Sequence, residues 1–236
     1  MHIGMVVGTH GSVPHIHLHL ETRKRMYPNV PMVVHDDDSP VGPRLHELCD
    51  QYGATFVSSR APQHTPLKTD YIGDHYLGDL ATYITGLRLL KDCDYVVKFS
   101  RRLIPKYDFT SDLLALACRD INNPCGTYGL TVGVEGIRTE AVAMNRSMWI
   151  SSHALIRMEE TLLERNVKGL FELYWYDVAQ QAGPIGQWAS MLAGSRFCQS
   201  SRCLWHSANT VEEYSHRAVS FHLPYTPDHF KNPDSH

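Results

Sequence analysis

Several things are missing from this chain of 236 residues, and each absence excludes a class of protein. No stretch reaches the roughly 18 consecutive apolar residues of a membrane-spanning helix. No transmembrane segment is therefore expected. The six cysteines (Cys49, Cys93, Cys118, Cys125, Cys198, Cys203) contain no Cys-x-x-Cys spacing, so reduced thiols in a cytoplasmic protein are expected. Cys198 and Cys203 could pair geometrically. No sign of charge dominates: 22 basic against 25 acidic residues leave a net charge of −3, too weak a field to draw the chain to nucleic acid or an anionic membrane. There are no internal repeats and no low-complexity segments. The N-terminus reads as a first strand rather than a signal peptide.

Present instead are 15 histidines, which make the charge sensitive to mild acid. A hydrophobic fraction of 43% suffices for a core. His2 to Gly8 reads as a buried strand, Thr9 to Ser12 as a turn, and Pro14 as an early position of a helix running to about Tyr27. Asn29 to His35 is a second strand, Pro43 to Tyr52 a helix closed by Gly53, and Ala54 to Ser58 a third strand. Residues 60 to 72 are loop-like, broken by Pro62 and Pro66. Tyr76 to Leu90 carries Leu77, Leu80, Ile84 and Leu87 at helical spacing, and Tyr95 to Phe99 is a fourth strand. This order implies an α/β fold, a mostly parallel sheet with right-handed crossovers and flanking helices.

The second half changes character. Ser111 to Cys118 reads as a helix, Cys125 to Val134 and Ile137 to Ala143 as strands or a hairpin, and Ser151 to Arg165 as an amphipathic helix. Leu170 to Gln181 and Ile185 to Leu192 read as helices split by Gly183-Pro184. Thr210-x-x-Glu213 resembles a capping box, and the proline-rich tail from Leu223 is expected to fray. One domain is expected, with an N-terminal half 1–105, a C-terminal α+β portion 106–222 and a tail 223–236.

The most informative stretch is Asp94-Tyr-Val-Val-Lys-Phe-Ser-Arg-Arg-Leu-Ile-Pro105, a buried strand that delivers Arg101 and Arg102 to its C-terminal end. The second strand ends in Asp36-Asp37-Asp38-Ser39-Pro40. Parallel sheets build ligand sites at the carboxyl ends of their strands. An acidic cluster on one end and a basic pair on another fit a ligand with a sugar or base at one end and phosphate at the other.

These residues carry a resemblance. Residues 2 to 105 resemble the nucleotide-sugar-binding half of a GT-A glycosyltransferase, a Rossmann-like fold, close to the family 2 type. Thr9 matches the threonine that ends the first strand near the nucleotide. Asp36-Asp37-Asp38-Ser39 matches an Asp-Asp-x-Ser motif, and Asp94-Tyr95-Val96 with Pro105 matches the fourth strand. The resemblance implies transfer of a sugar from a nucleoside diphosphate donor, a UDP-sugar favoured, to a hydroxyl acceptor, with inversion. It places Thr9 and one of Asp36, Asp37 and Asp38 at the nucleotide; Arg60, which follows the third strand, is a candidate for the nucleotide pocket or a solvated charge. Two other readings of the acidic cluster stand beside this: a turn whose Asp and Ser cap the next helix, and a metal site at Asp36 and Asp38.

One departure changes the expected chemistry. The family's Asp-x-Asp holds a divalent cation at the diphosphate, and here Ser100-Arg101-Arg102 stands in its place. A guanidinium supplies positive charge directly and grips phosphate with a bidentate fork. Metal-independent catalysis with Arg101 and Arg102 on the diphosphate is the expectation, with manganese or magnesium not required. His206, after Trp205, is a further phosphate candidate from a closing loop, with His216 and Arg217; Lys68 is a further pocket candidate.

The general base that deprotonates the acceptor is sought near the start of a late helix. Glu172 and Asp177 are the candidates, with Tyr174, Trp175 and Tyr176 as a sugar platform or as core. Glu135 and Glu140 are the reserves. Asn145-Arg146 follows a strand at a place where donor or acceptor contacts often sit. His15-Ile-His-Leu-His19 puts His15 and His19 on one helix face without a carboxylate or cysteine partner at metal spacing. Two other classes compete: a nucleotidyltransferase, for which Gly8-Thr-His-Gly11 is a weak phosphate loop, and a non-catalytic nucleotide-sugar- or glycan-binding homologue.

Overall fold

The computed structural model describes residues 1–59, 75–105, 108–132, 136–164, 171–188, 203–205 and 224–225. Four strands form the parallel part of the sheet: β1 (Ile3–Thr9), β2 (Met32–Asp36), β3 (Thr55–Ser58) and β4 (Tyr95–Ser100). Helix α1 (Val13–Met26) joins β1 to β2, α2 (Gly42–Tyr52) joins β2 to β3, and α3 (His75–Leu89) precedes β4. After β4 come β5 (Leu103–Pro105), α4 (Phe109–Arg119), β6 (Thr127–Val132), β7 (Gly136–Asn145), α5 (Arg146–Ser151), α6 (His153–Glu164), α7 (Phe171–Gln181), β8 (Ile185–Gln187) and β9 (Cys203–Trp205).

The seven-stranded sheet runs β3-β2-β1-β4-β7-β6-β8. Strand β7 is antiparallel to both β4 and β6, and β8 is parallel to β6. Strands β5 and β9 form a separate antiparallel ribbon in which Leu103 faces Trp205. The expected α/β order therefore holds, and the hairpin of the second half completes the same sheet.

Alternation of side chains across the pleat builds two cores. Met5, Val7, Val34, Tyr95, Val97 and Phe99 pack with α1, α2 and α4 on one face. Val6, Val33, Val96 and Val142 pack with α3, α5, α6 and α7 on the other. Gly53 closes α2 with φ of 62°, as the sequence pattern requires.

Helix α3 sits unusually close to β1. A side-chain carbon on Gly86 would stand 2.6 Å from a methyl of Val6, and one on Gly8 would collide with the Thr82 hydroxyl. The same contacts give the helix direction. Gly86 lies over Val6 and Thr82 over Gly8, so α3 runs antiparallel to β1 and starts at the edge where the parallel strands end.

Three expectations are corrected. Ile185–Gln187 is a strand rather than the start of a helix; it follows Pro184, which biases Gly183 away from helix, and Gly186 lets it lie against the Tyr128 ring. The helix expected over Ser151 to Arg165 is present as α6, and Ser152, with φ −97° and ψ 170°, separates it from the short α5 that the sequence pattern did not announce. Helix α2 begins at Gly42 with no side-chain cap, so Asp36 to Ser39 is not its cap. The tail does not fray at Tyr225, which is half-buried edge-on against His17. Thr210 and Glu213 lie outside the described residues.

Gly86→Ala is expected to lower unfolding stability by about 1–3 kcal/mol through overpacking, read by urea denaturation. Val6→Ala in the same chain should return part of the loss. An unchanged midpoint for Gly86→Ala would show that α3 is free to shift.

Candidate functional site at the carboxyl ends of the strands

Register brings three strand ends to one edge: Thr9 lies opposite Asp36, and Gly8 opposite Ser100. At this edge Asp36 is fully buried. Its Oδ1 accepts from the Gly11 N–H at 3.2 Å, and its Oδ2 accepts from the Ser39 N–H and hydroxyl, both at 2.9 Å. Both oxygens thus staple the turn after β1 to the turn before α2. This geometry gives Asp36 a structural part: three donors take up three of its roughly four lone-pair sites.

The neighbouring aspartates stand differently. Asp37 is half-buried and Asp38 is exposed, with φ of 48°. The Asp37 N–H donates to the Thr9 carbonyl at 2.9 Å, and the Asp37 carbonyl accepts from His10 Nδ1 at 2.9 Å. A carbonyl only accepts, so Nδ1 of His10 carries the hydrogen. The Thr9 hydroxyl is held by accepting the Ser12 N–H at 3.1 Å.

Arg101 and Arg102 form the turn between β4 and β5. Arg101 is half-buried, and its Nη1 donates to the His10 carbonyl at 3.4 Å. Arg102 is exposed, and its N–H donates to Ser100 Oγ at 3.4 Å. Beneath the turn, buried His19 of α1 donates from Nε2 to the carbonyls of Ser100, at 3.3 Å, and Arg101, at 3.1 Å. The histidine tract is thus taken up structurally. His15 bonds Ser12 at 2.5 Å, and His17 Nε2 bonds Tyr52 at 2.9 Å. Among the described residues no group of three or more histidine, cysteine or acidic side chains is placed to hold a metal. Ser100, Arg101 and Arg102 offer a hydroxyl and two guanidiniums, no ligand set for a hard divalent cation, which takes oxygen donors such as carboxylates.

The same edge holds a lysine to which the sequence alone assigns no role. Lys98 is 1% exposed on β4 and forms an ion pair with Asp79 Oδ1 of α3 at 2.8 Å. Its Nζ also donates to the Thr139 carbonyl of β7 at 2.8 Å and lies 5.0 Å above the Tyr83 ring. The signal was available: a lone lysine inside an apolar strand, Tyr95-Val-Val-Lys-Phe99, on the face of Val96.

Other candidates are placed as follows. Glu172 is the second residue of α7, and its side chain lies outside the described ones. Asp177 is exposed, while α7 turns Trp175, Val178 and Ala179 inward. Trp175 is no sugar platform: it is buried and stacked between Tyr83, at 3.9 Å, and Trp149, at 5.0 Å. Glu140 is half-buried on β7. Asn145 sits opposite Tyr95, at the far edge of the sheet, where it caps α5 by accepting from the Met148 N–H; Arg146 donates to the Leu87 carbonyl. Neither residue is at the strand ends that form the site. Arg60, Lys68, Glu135, His206, His216 and Arg217 lie outside the described residues, as do the side chains of Cys198 and Cys203.

His35, next to Asp36, is buried under the site. The Thr82 hydroxyl donates to the Gly78 carbonyl at 2.7 Å, so it accepts from His35 Nδ1 at 3.2 Å. His35 Nε2 is left to accept from the Ser59 hydroxyl at 2.6 Å. Burial outweighs the opposing pull of Asp36 and lowers the His35 pKa to about 4.

This arrangement defines a class. The fold is that of GT-A glycosyltransferases: a mostly parallel α/β sheet with its candidate site at the strand ends. No protein-family profile and no curated protein matches the chain. Solved structures do. The glycosyltransferase GlyE of Streptococcus pneumoniae TIGR4 shares 14% identity over 80% of this chain and 45% of its own, with a TM-score of 0.52. The galactosyltransferase LgtC, in complex with donor and acceptor sugar analogues, shares 14% over 79% of this chain and 73% of its own, at 0.51. TarS of S. aureus, in complex with UDP-GlcNAc, shares 10% over 79% of this chain and 56% of its own, at 0.50. The chain thus spans about half the length of GlyE and of TarS. No described helix is long and apolar enough to cross a membrane.

His35 generates a pH prediction. An imidazole with a lowered folded pKa binds fewer protons when folded than when unfolded, so its stabilisation is complete above pH 6.5 and is lost as pH falls toward 4. The full loss amounts to about 3 kcal/mol. Chemical denaturation between pH 7 and 4 should show it, and His35→Gln should flatten that part of the profile. An equally steep profile in the variant would assign the acid sensitivity to other groups.

Proposed function

We propose that the chain is a glycosyltransferase that moves a hexose-like sugar from a nucleoside diphosphate donor, with a UDP-sugar favoured, to a hydroxyl acceptor. The observation that supports this best is the Arg101–Arg102 turn. By the sequence resemblance it corresponds to the family's cation position, and Arg101 reaches the end of β1 through the His10 carbonyl. The solved neighbours are glycosyltransferases, and one is in complex with UDP-GlcNAc.

In the proposed reaction the acceptor oxygen attacks the anomeric carbon while the bond from that carbon to the diphosphate oxygen breaks. The electron pair leaves with the diphosphate, and the acceptor proton passes to a carboxylate. The result is inversion at the anomeric carbon. Arg101 and Arg102 bind the diphosphate and stabilise the charge that grows on it, the part a divalent cation plays in the family. Thr9, Asp37 and Asp38 line the nucleoside end, with Arg60. His206 is assigned to the diphosphate from the segment after β9, whose Trp205 is paired with Leu103 beside Arg102. Glu172 is the preferred base because it begins α7, and Asp177, exposed further along that helix, is the second choice.

Arg102→Ala is expected to lower kcat about 100- to 1,000-fold, the effect of losing one preorganised charge-stabilising donor, with a smaller change in nucleoside diphosphate affinity. Donor hydrolysis and transfer by the unaltered protein should persist in a chelator. Full turnover in Arg102→Ala, or abolition by the chelator, would refute the replacement of metal by arginine. Nucleotide-sugar binding without hydrolysis or transfer would mark a non-catalytic binding protein instead.

A further inference from the structure

The Lys98–Asp79 pair is the one charged pair of the described core that neither the fold nor the proposed chemistry explains. Lys98 is 1% exposed, yet Asp79 is 33% exposed, so the pair has a buried end and an open end. Apolar residues of like volume often replace a buried ion pair without loss of stability, and Val96 and Phe99 on the same strand are apolar. What the pair supplies that an apolar pair cannot is an anion fixed in one orientation.

Its location follows from register. Lys98 lies opposite Val6, and Ser100, the last residue of β4, opposite Gly8. Thr82 of α3 covers Gly8. Asp79 is three residues earlier on an antiparallel helix, hence about 4.5 Å further toward the carboxyl ends of the strands. The carboxylate therefore stands at the site's edge, on the α3 side of β4. The aspartates after β2 stand on the side of β1 away from β4. Asp79 Oδ1 meets the ammonium, and no described residue bonds Oδ2. Lys98 is itself held from two further sides, by the Thr139 carbonyl and the Tyr83 ring, and Tyr83 donates its hydroxyl to the same carbonyl at 3.0 Å.

We propose that Asp79 is a substrate-contacting residue whose open carboxylate oxygen accepts a hydrogen bond from a hydroxyl of the donor's hexose, with Lys98 as its positioning residue. The assignment rests on the glycosyltransferase reading. A carboxylate repels the diphosphate, so the group it receives is the neutral one beyond the phosphates. With the nucleoside at the ends of β1 and β2 and the diphosphate at the Arg101–Arg102 turn, the hexose is the part that extends toward α3.

Calorimetric titration with UDP, UDP-glucose and UDP-N-acetylglucosamine tests it on the full chain. In Asp79→Asn the amide oxygen keeps facing the ammonium and the amide nitrogen presents a donor where an acceptor stood. UDP affinity should stay within about twofold, while the better-bound nucleotide sugar weakens about tenfold or more. A deoxy-sugar donor lacking the bonded hydroxyl should bind the unaltered protein and Asp79→Asn equally. Equal weakening of UDP and nucleotide sugar would make Asp79 merely structural, and no weakening of either would also overturn the proposal. If Asp79→Asn folds poorly, the double variant Lys98→Met with Asp79→Leu removes both charges and should show the same sugar-specific loss. Failure of the unaltered protein to bind any of the three ligands would remove the glycosyltransferase reading itself, and that arm does not involve Asp79.

Discussion

The buried carboxylate of Asp36 holds the functional edge of this molecule together. A buried carboxylate is costly unless it is hydrogen-bonded, and here three donors reach it: Gly11 N–H, Ser39 N–H and Ser39 O–H. Each hydrogen bond to a charged group is worth about 1.5–3 kcal/mol, so the two turns are fixed rather than draped over the strands. From this staple a chain of contacts runs across the edge. The Asp37 N–H bonds the Thr9 carbonyl, His10 bonds the Asp37 carbonyl, and Arg101 bonds the His10 carbonyl. His19 closes the chain from below by holding the carbonyls of Ser100 and Arg101. The cationic turn therefore sits where β1 and β2 put it.

This matters for the proposed replacement of a metal by arginine. A metal ion organises its own site, because carboxylates and phosphates converge on it. A guanidinium has no such reach and lies at the end of a long side chain with about 2 kcal/mol of rotamer entropy. Its usefulness at a diphosphate depends on how firmly the backbone beneath it is held. The His19 bonds to two successive carbonyls supply that hold, which accounts for a buried histidine under the turn better than a metal tract does.

Much of the first half was legible in the sequence because local signals and tertiary structure agree there. Gly53 demands a helix end, and apolar runs such as Met5-Val-Val7 demand buried strands. The second half was less legible where pairing overrode local pattern. Ile185-Gly-Gln187 has no strand signal of its own and becomes one because β6 offers an open edge. Within the site, Arg101 and Arg102 were visible because they interrupt a known pattern. The separation of Asp36 from Asp37 and Asp38 was not visible, since three adjacent aspartates look alike until hydrogen bonds distinguish them. The Lys98–Asp79 pair spans 19 positions of sequence, and only the packing of α3 on β4 brings its members together.

The two sides of the sheet are mechanically joined at the same place. Tyr83 of α3 lies under Lys98, bonds the Thr139 carbonyl of β7, and stacks on Trp175 of α7, which stacks in turn on Trp149 of α5. Offset aromatic pairs add about 0.5–1.5 kcal/mol each beyond area burial, and none of these rings has a free direction to move. Helix α7, which carries Glu172 and Asp177, is therefore locked to α3, which carries Asp79, and α3 is locked to β1 by the missing side chains of Gly8 and Gly86. In the proposed reaction the base, the hexose carboxylate and the arginine turn would all be referred to β1 and β4. A displacement at the anomeric carbon needs the acceptor and leaving oxygens held on opposite sides of that carbon. In this molecule the rigidity for that comes from close packing of helices on the sheet, with the aromatic stack as the strut between the two halves of the chain.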